Sequence, residues 1–309
     1  MADYDYIIIG AGSAGCVLAE RLSASGRHKV LVLEAGGRGR SPWIALPLGY
    51  GKTFFDPSVN WQYQSEPEEA LAGRKGYWPR GKGVGGSGAI NALVYARGLP
   101  RDFDDWAVAG ATGWGWDRVR TTYEAMETQV SADGTRQGNG PMQVQDVSDQ
   151  IHRANRHFFA AAKELGLPVT DNINGAQSEG AAAYQINTSG GRRMHSARAF
   201  LAPALKRRNV TLMTDARVER IVFQDRRATE VLLRHRGRSV TLRAGREIIL
   251  SAGSVDSPRI LQLSGIGPTE TLQRFGITTL LNAPHVGGNL QDHLGINYYF
   301  RATEPTLNN

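Results

Sequence analysis

The sequence predicts an α/β chain: a parallel sheet of the doubly wound, Rossmann-like kind with an inserted antiparallel meander, plus part of a second α+β domain. Three observations predict it. "YDYIII" (Tyr4–Ile9) and "KVLVLE" (Lys29–Glu34) are β-rich runs without polar alternation, the pattern of strands buried on both faces. Between them "AGCVLAERLSAS" places Val17, Leu18 and Leu22 at helical spacing, so strand, helix and strand follow one another as a βαβ unit with a parallel sheet. Last, Val210–Arg243 holds alternating runs such as "RVERIVF" and "EVLLRH", read as three or four short antiparallel strands.

The remaining elements follow in order. From Ser41 to Pro79, prolines and aromatics predict loops and short helices. Arg101–Glu127 reads as helical with a break at "GATGWGW", and Ile151–Leu165 as a further helix. "SARAFLAPALKR" predicts another, with Ser196 as its N-cap. "REIILSAG" (Arg246–Gly253) returns to the buried-strand pattern and leads into the helix "SPRILQLSG". A parallel sheet that is interrupted and then resumed implies a discontinuous domain. The expected division is 1–150 with 205–290 for the nucleotide-binding domain, and 151–204 with 291–309 for a partial second domain.

Composition narrows the function classes. The 309 residues are 41% hydrophobic and 21% charged, ordinary for a globular protein large enough to bury a substantial core. The single cysteine, Cys16, excludes an intramolecular disulfide and fits a cytosolic setting, and its position at a helix start fits a small buried side chain. No secretory signal or bilayer-spanning run is present, so the expected location is cytoplasmic, with peripheral membrane association left open. The net charge of +7 comes from 192–246, where fifteen Lys and Arg face only Asp215, Glu219, Asp225 and Glu230. Solvated strand faces that also attract an anionic ligand account for this excess. Nucleic-acid binding is not expected, because no nucleic-acid module accompanies the charge.

Two glycine-rich runs carry the chemistry. The first, "IIIGAGSAG", sets Gly10, Gly12 and Gly15 as G-x-G-x-x-G directly after a buried strand and at the start of a helix. Gly10 permits the turn, Gly12 lets backbone approach a pyrophosphate, and Gly15 lets helix and strand pack closely. The helix N-terminus offers N–H groups and a positive dipole end to phosphates. Glu34, at the end of the second strand, is placed to accept hydrogen bonds from an adenosine ribose and disfavours a 2′-phosphate. The second run, "GKGVGGSGAINALVYARG" (Gly81–Gly98), has five glycines in its first eight residues. No buried strand precedes it. Gly83 stands where a nucleoside-triphosphate loop needs Ser or Thr, and Ala89 where a nucleophile elbow needs glycine. In a chain that already binds a dinucleotide, the run is either a plain surface loop or an approach to the redox-active end of the ligand. The residues alone leave both readings open.

Beyond these readings, Gly81–Asp104 closely resembles the first signature of the glucose–methanol–choline (GMC) family of FAD oxidoreductases. "GSVDSPRILQLSGIG" (Gly253–Gly267) resembles the second signature, and "EAGG" at Glu34 and "VGGNLQDHLG" at Val286 are similar to family segments. Smaller echoes lie at Asn60, at Asp171–Gly175 and at Ser196, so the resemblance runs through essentially the whole chain, nearest to the choline- and alcohol-dehydrogenase branch. It implies that Gly10, Gly12 and Gly15 line the FAD pyrophosphate and Glu34 holds the ribose. Gly85, Gly86 and Ser87 would cover the cofactor from its other side, with Asn91 and Ala92 beside the isoalloxazine. Val218, Ala252 and Gly253 would reach the adenine region, and Asn289 and Leu290 the flavin's middle. Ile90 occupies the position where some members carry a histidine that tethers the flavin, so a non-covalent FAD is expected.

The implied activity is oxidation of a small-molecule alcohol by hydride transfer to flavin N5, with a quinone, another carrier or O₂ reoxidising the flavin. The alternatives are a catalytically silent FAD-binding fragment and a lyase-type member of the same fold. The family's proton-abstracting histidine is expected beyond Asn309, in a segment missing from a truncated chain. His293 is the weak candidate within it, with a structural role favoured. The seven histidines show no metal-ligand spacing, and no metal is expected.

Overall fold

The structure, a computed structural model, describes residues 3–175, 179–293, 295, 297–299 and 301. Tyr4–Ile9 (β1) and Val30–Leu33 (β2) lie side by side in parallel, joined through the helix Ser13–Ser23 (α1). All four residues of β2 are buried, as is the Ile7–Ile9 end of β1, which is why neither strand alternates in polarity. Val210–Met213 pairs in parallel outside β2, and Arg238–Leu250 in parallel on the far side of β1. Arg227–His235 and Ala216–Gln224 then add two antiparallel strands, completing a six-stranded sheet.

The meander differs from expectation in two respects: Val210–Met213 is no part of it but a parallel strand beside β2, and the remaining strands are fewer and longer than read from the sequence. Its strands are three long ones, of 9, 9 and 13 residues, and "REIILSAG" is no separate element. The 13-residue strand Arg238–Leu250 pairs antiparallel with Arg227–His235 over its first half and parallel with β1 over its second. A register shift between Tyr4 and Tyr6 marks the change. The sequence reads as two elements because the first half alternates and the second does not.

The core of this sheet joins Ile7, Ile9, Leu31 and Leu33 to Val218, Ile221, Val231 and Leu233 of the meander and to Ile260. The insertion therefore shares the hydrophobic core of the parallel strands and is part of the same domain.

The chain divides into two compact units, 1–92 with 195–291, and 93–194 with the residues from 292 onward. The sequence placed the first boundary at 150 and the second near 205. Residues 93–150 group with 151–194 because their pairings lie there: Glu127–Val130 runs parallel to Met142–Gln145, and both Val94 and Gln145 bridge to Ile186. This unit also holds the helices Pro100–Val108, Trp116–Met126 and Asn155–Glu164, the last starting four residues later than read from the sequence. It is fastened inside by Glu127, which is buried and accepts from Tyr95 Oη (2.7 Å), Arg97 and Gln129.

Ser196 is not an N-cap. Its backbone is already helical and its side chain makes no cap hydrogen bond; Ala197–Leu201 forms a π-helical turn that runs into Ala202–Ala204. Among the described residues, no helix is long and apolar enough to cross a membrane.

Leu233 is fully buried where meander and parallel strands meet. Leu233→Ala is expected to lower stability by about 2–5 kcal/mol in urea unfolding, as large-to-small core changes do. A loss below about 1 kcal/mol would mean that the meander and the parallel strands do not share a core.

Candidate functional site

The carboxyl ends of β1, β2 and Arg238–Leu250 open onto a cavity of about 540 Å³, the position where open α/β sheets bind ligands. The first glycine turn forms its floor. Gly10 has φ +103°, and a Cβ there would stand 2.5 Å from the Ser251 carbonyl oxygen. A Cβ on Gly15 would stand 1.9 Å from the Gly10 oxygen. Only glycine satisfies these two positions, for reasons internal to the fold. Gly12 is different. Its nearest neighbour is the Gly86 Cα at 4.0 Å, and it faces the cavity with Ser13 and Ala14. Gly12 also caps α1 without a side-chain hydrogen bond, and the first turn of α1 contains no acidic residue. The first N–H groups of α1 therefore meet the cavity, the arrangement that receives phosphate.

The second glycine run packs backbone to backbone on the first. The Gly85 N–H donates to the Ala11 carbonyl at 2.8 Å. Gly86 has φ +55°, and a Cβ on it would stand 2.8 Å from the Gly12 Cα. Upstream, a Cβ on Gly81 would stand 2.1 Å from the Gly86 oxygen, and the Gly81 N–H donates to Ser87 Oγ at 3.1 Å. Gly86 and Ser87 line the cavity opposite Gly12. The run is thus no plain surface loop but the second wall of the site that Gly10–Gly15 begins.

Glu34 is buried, with 6% exposure. Its Oε2 accepts from the Ala11 N–H (3.0 Å) and its Oε1 from the Gly36 N–H (2.9 Å). Burial pushes its carboxyl up, while the N–H groups of Gly36, Ala11 and Gly83 pull it down. Glu34 is therefore a strut between the first glycine turn and the loop after β2, as well as a cavity-facing acceptor. A carboxylate has about four acceptor positions, so both roles fit one side chain. Cys16 lies beneath, fully buried, with its Sγ donating to the Ala11 carbonyl at 3.2 Å. Burial, reinforced by Glu34, pushes its thiol up to about 12.

Of the residues named from the sequence, Gly10, Gly12, Glu34, Gly86, Ser87, Val218, Ala252 and Gly253 line this one cavity. Gly253, with φ +86° and open space where a Cβ would be, begins the helix Gly253–Leu263, whose first turn also faces the cavity. Gly15 and Gly85 do not line it; they set the packing beneath and beside it. Asn91, its N–H on the Ser87 carbonyl at 3.0 Å, and Ala92 lie within the second run, past its last clustered glycine, and both are exposed. Asn289, Leu290 and His293 are exposed and outside the lining. Ile90 is buried in an apolar cluster with Ile44, Val59 and Ala89.

Sequence reasoning missed Trp61, Tyr63, Arg80, Arg217, Asp256 and Arg259, which also line the cavity. The signals for this wall were the segment at Asn60–Trp61 and the second signature, which contains Asp256 and Arg259. Burial and the adjoining Asp256 carboxylate push the Tyr63 phenol up, so it stays a hydrogen-bond donor. Among the described residues, no group of three or more His, Cys, Asp or Glu could hold a metal ion.

This geometry is that of a dinucleotide-binding α/β fold, and comparison with known proteins names the family. Residues 4–295 match the GMC oxidoreductase family model, and the chain belongs to this family. It is 39% identical over 308 residues to an oxygen-dependent choline dehydrogenase of Photobacterium profundum, covering 99% of this chain and 54% of that one. It is 39% identical over 310 residues to an alcohol dehydrogenase [acceptor] of Pseudomonas putida, covering 98% and 55%. The crystal structure of pyridoxine 4-oxidase from Mesorbium loti superposes with a TM-score of 0.85 at 34% identity, over 91% of this chain and 55% of that one. The chain spans about half the length of the curated relatives it matches. The family is FAD-dependent, and the residues here fit that cofactor: an open Gly12 over a helix N-terminus, a buried carboxylate and a cavity between the two glycine runs.

Two expectations follow. Gly86→Ala forces a side chain against Gly12 in a left-handed backbone, and overpacking of about 1–3 kcal/mol should cut FAD affinity about tenfold. Fluorescence titration checks this, and unchanged affinity would separate the second run from the site. Cys16 should resist alkylation at pH 8 until the protein is unfolded. Its folded thiol is raised from 9.0 to about 12, so its contribution to stability is present below pH 9 and is lost as pH rises from 9 to 12. Rapid alkylation of the folded protein would contradict the buried placement.

Proposed function

We propose that this GMC oxidoreductase uses non-covalently bound FAD to oxidise the CH–OH group of a small alcohol. The observation that carries the reading is the seating of Gly86 on Gly12 at the cavity formed with Glu34. FAD, when bound, supplies the acceptor for the two electrons the alcohol loses. The chain's own residues would do the rest. The N–H groups at Gly12–Ala14 would bind the pyrophosphate, Glu34 the ribose, and Gly86 with Ser87 would lie along the cofactor's other face. The N–H groups of the second run, with its Asn91 and Ala92, would favour negative charge at the redox-active end. Val218, Ala252 and Gly253 would border the adenine, and Asn289 with Leu290 would approach from the loop after 285.

Ile90 supports a non-covalent cofactor, because an apolar side chain has no atom with which to tether a flavin. The unit 93–194 is assigned to the substrate side. The proton-abstracting base is not assigned to His293, which is exposed and outside the cavity lining. The names of two relatives, a choline dehydrogenase and an alcohol dehydrogenase, support an alcohol as donor. The acceptor that follows FAD is a quinone, another carrier or O₂.

The purified chain should be yellow, and heat or acid should release FAD into the supernatant. Flavin left on the precipitated polypeptide would overturn the non-covalent reading, and release of NAD instead would overturn the cofactor. With no proton-abstracting base assigned among these residues, anaerobic addition of choline, benzyl alcohol or an aliphatic alcohol should bleach the flavin absorbance only slowly, at a rate lower by the roughly 10²–10⁴-fold that general-base catalysis supplies. A chain that holds FAD but bleaches with no alcohol at all is a silent binder or a non-redox member of the fold.

A further inference from the structure

We propose that the segment from Arg38 to Phe55 is a docking face for an anionic lipid surface. Its charged residues are Arg38, Arg40 and Lys52, and no Asp or Glu occurs between Ala35 and Phe55. Trp43, Leu46, Leu48, Tyr50, Phe54 and Phe55 are all exposed, Leu48 by 90% and Phe55 by 68%. Single exposed apolar side chains are ordinary on a protein surface. A run of six in one short segment, accompanied by cations alone, is not, and a contiguous patch of this kind marks an interaction site.

The fold gathers these residues and turns them outward. Pro42–Ala45, Pro47–Gly49 and Tyr50–Thr53 are three short helical turns in succession. Ile44, Gly49 and Thr53 form their buried side, where Ile44 packs with Val59, Ala89 and Ile90. A Cβ on Gly49 would stand 2.0 Å from the Trp43 carbonyl oxygen, so the second turn folds back on the first and brings Leu48–Tyr50 beside Trp43. The Phe54 N–H donates to the Tyr50 carbonyl at 2.9 Å, which sets these two on one helix face. The Phe54 carbonyl accepts from Tyr77 Oη at 2.6 Å and Asn60 Nδ2 at 2.7 Å, and the Phe55 carbonyl from Gln62 Nε2 at 2.9 Å. The apolar side is thus presented by a backbone that is tied down.

The charges select the occupant. Trp and Tyr settle at a membrane–water boundary, Leu and Phe enter the acyl region, and Arg and Lys reach the headgroups along apolar stems. Each cation strengthens binding to an anionic bilayer about fivefold. Against a second copy of the same face these cations would repel, which disfavours self-pairing. The face also adjoins the second glycine run: the Val84 N–H donates to the Gly37 carbonyl at 3.1 Å, and a Cβ on Gly39 would stand 3.2 Å from the Val84 oxygen. A chain seated on lipid would hold that wall near the phase in which a quinone acceptor dissolves. Only this consequence depends on the FAD reading; lipid binding does not.

The test is sedimentation of the 309-residue chain with vesicles. It should pellet with equal parts phosphatidylcholine and phosphatidylglycerol, and stay in solution with phosphatidylcholine alone. Joint replacement Arg38→Gln, Arg40→Gln and Lys52→Gln should lower the partition coefficient on the order of 100-fold. Leu48→Ser with Phe55→Ser should lower it about tenfold. If that pair disturbs folding by circular dichroism, Leu48→Ser alone decides, with an expected loss of about threefold. Wild-type chain left in the supernatant, equal pelleting with both vesicles, or variants that pellet like wild type would overturn the proposal. So would a wild-type dimer without lipid that Leu48→Ser turns into a monomer, since the face would then pair with itself. Each of these failures leaves the cofactor reading standing, because that reading is decided by flavin release.

Discussion

The site depends on a contact between two stretches of bare backbone. Gly85 donates to Ala11, and Gly86 lies against Gly12 so closely that a single methyl group would separate them. Without that contact the N-terminal βαβ unit would present a phosphate-binding turn with nothing opposite it. The glycines therefore divide into those that fit the chain to itself, at Gly10, Gly15, Gly81 and Gly86, and those that leave room for something else, at Gly12 and Gly253. A glycine-rich motif is commonly read as entirely about the ligand. Here most of its members are about the close approach of one loop to another, and the ligand space is what remains between them.

Glu34 shows the same economy in electrostatics. Its carboxylate holds Ala11 and Gly36 through their N–H groups while facing the cavity. Burial opposes its ionisation, and backbone donors support it. One side chain thus fixes the loop after β2 to the glycine turn and still presents a carboxylate to the cavity. Replacing it would disturb both at once, because buried N–H groups left without an acceptor are themselves costly.

Much of this was legible in the sequence, where local pattern and global fold agree. β1, α1 and β2 follow from uniform burial and helical spacing, and Glu34 from its distance past the glycine turn. The meander was legible as antiparallel strands, but the continuity of Arg238–Leu250 was not, because periodicity changes midway when the strand's neighbours change. The unit boundary at Ala92–Leu93 was hidden because it falls inside a signature that reads as one motif. Ser196 looked like a cap because composition cannot distinguish a first helical residue from the one before it. The Trp61–Tyr63–Asp256 wall was hidden for a simpler reason: its parts are 193 residues apart and join through a single hydrogen bond.

The two-sided strand Arg238–Leu250 has a consequence for biosynthesis. β1 is translated well before one of its two neighbours, which is made some 240 residues later, as its registry with Ala244–Leu250 requires. Until then β1 and β2 have an open edge, a surface on which nascent chains pair wrongly. The meander folds from local hairpins, which form quickly because their contacts are near in sequence. Its last strand pairs with Arg227–His235 along its first half and supplies the missing partner of β1 along its second. The glycine turn is therefore translated some 240 residues ahead of Ser251, whose hydroxyl braces it from behind through the Ile9 and Gly10 carbonyls, so the floor of the cavity stays unsupported until the long strand has been made.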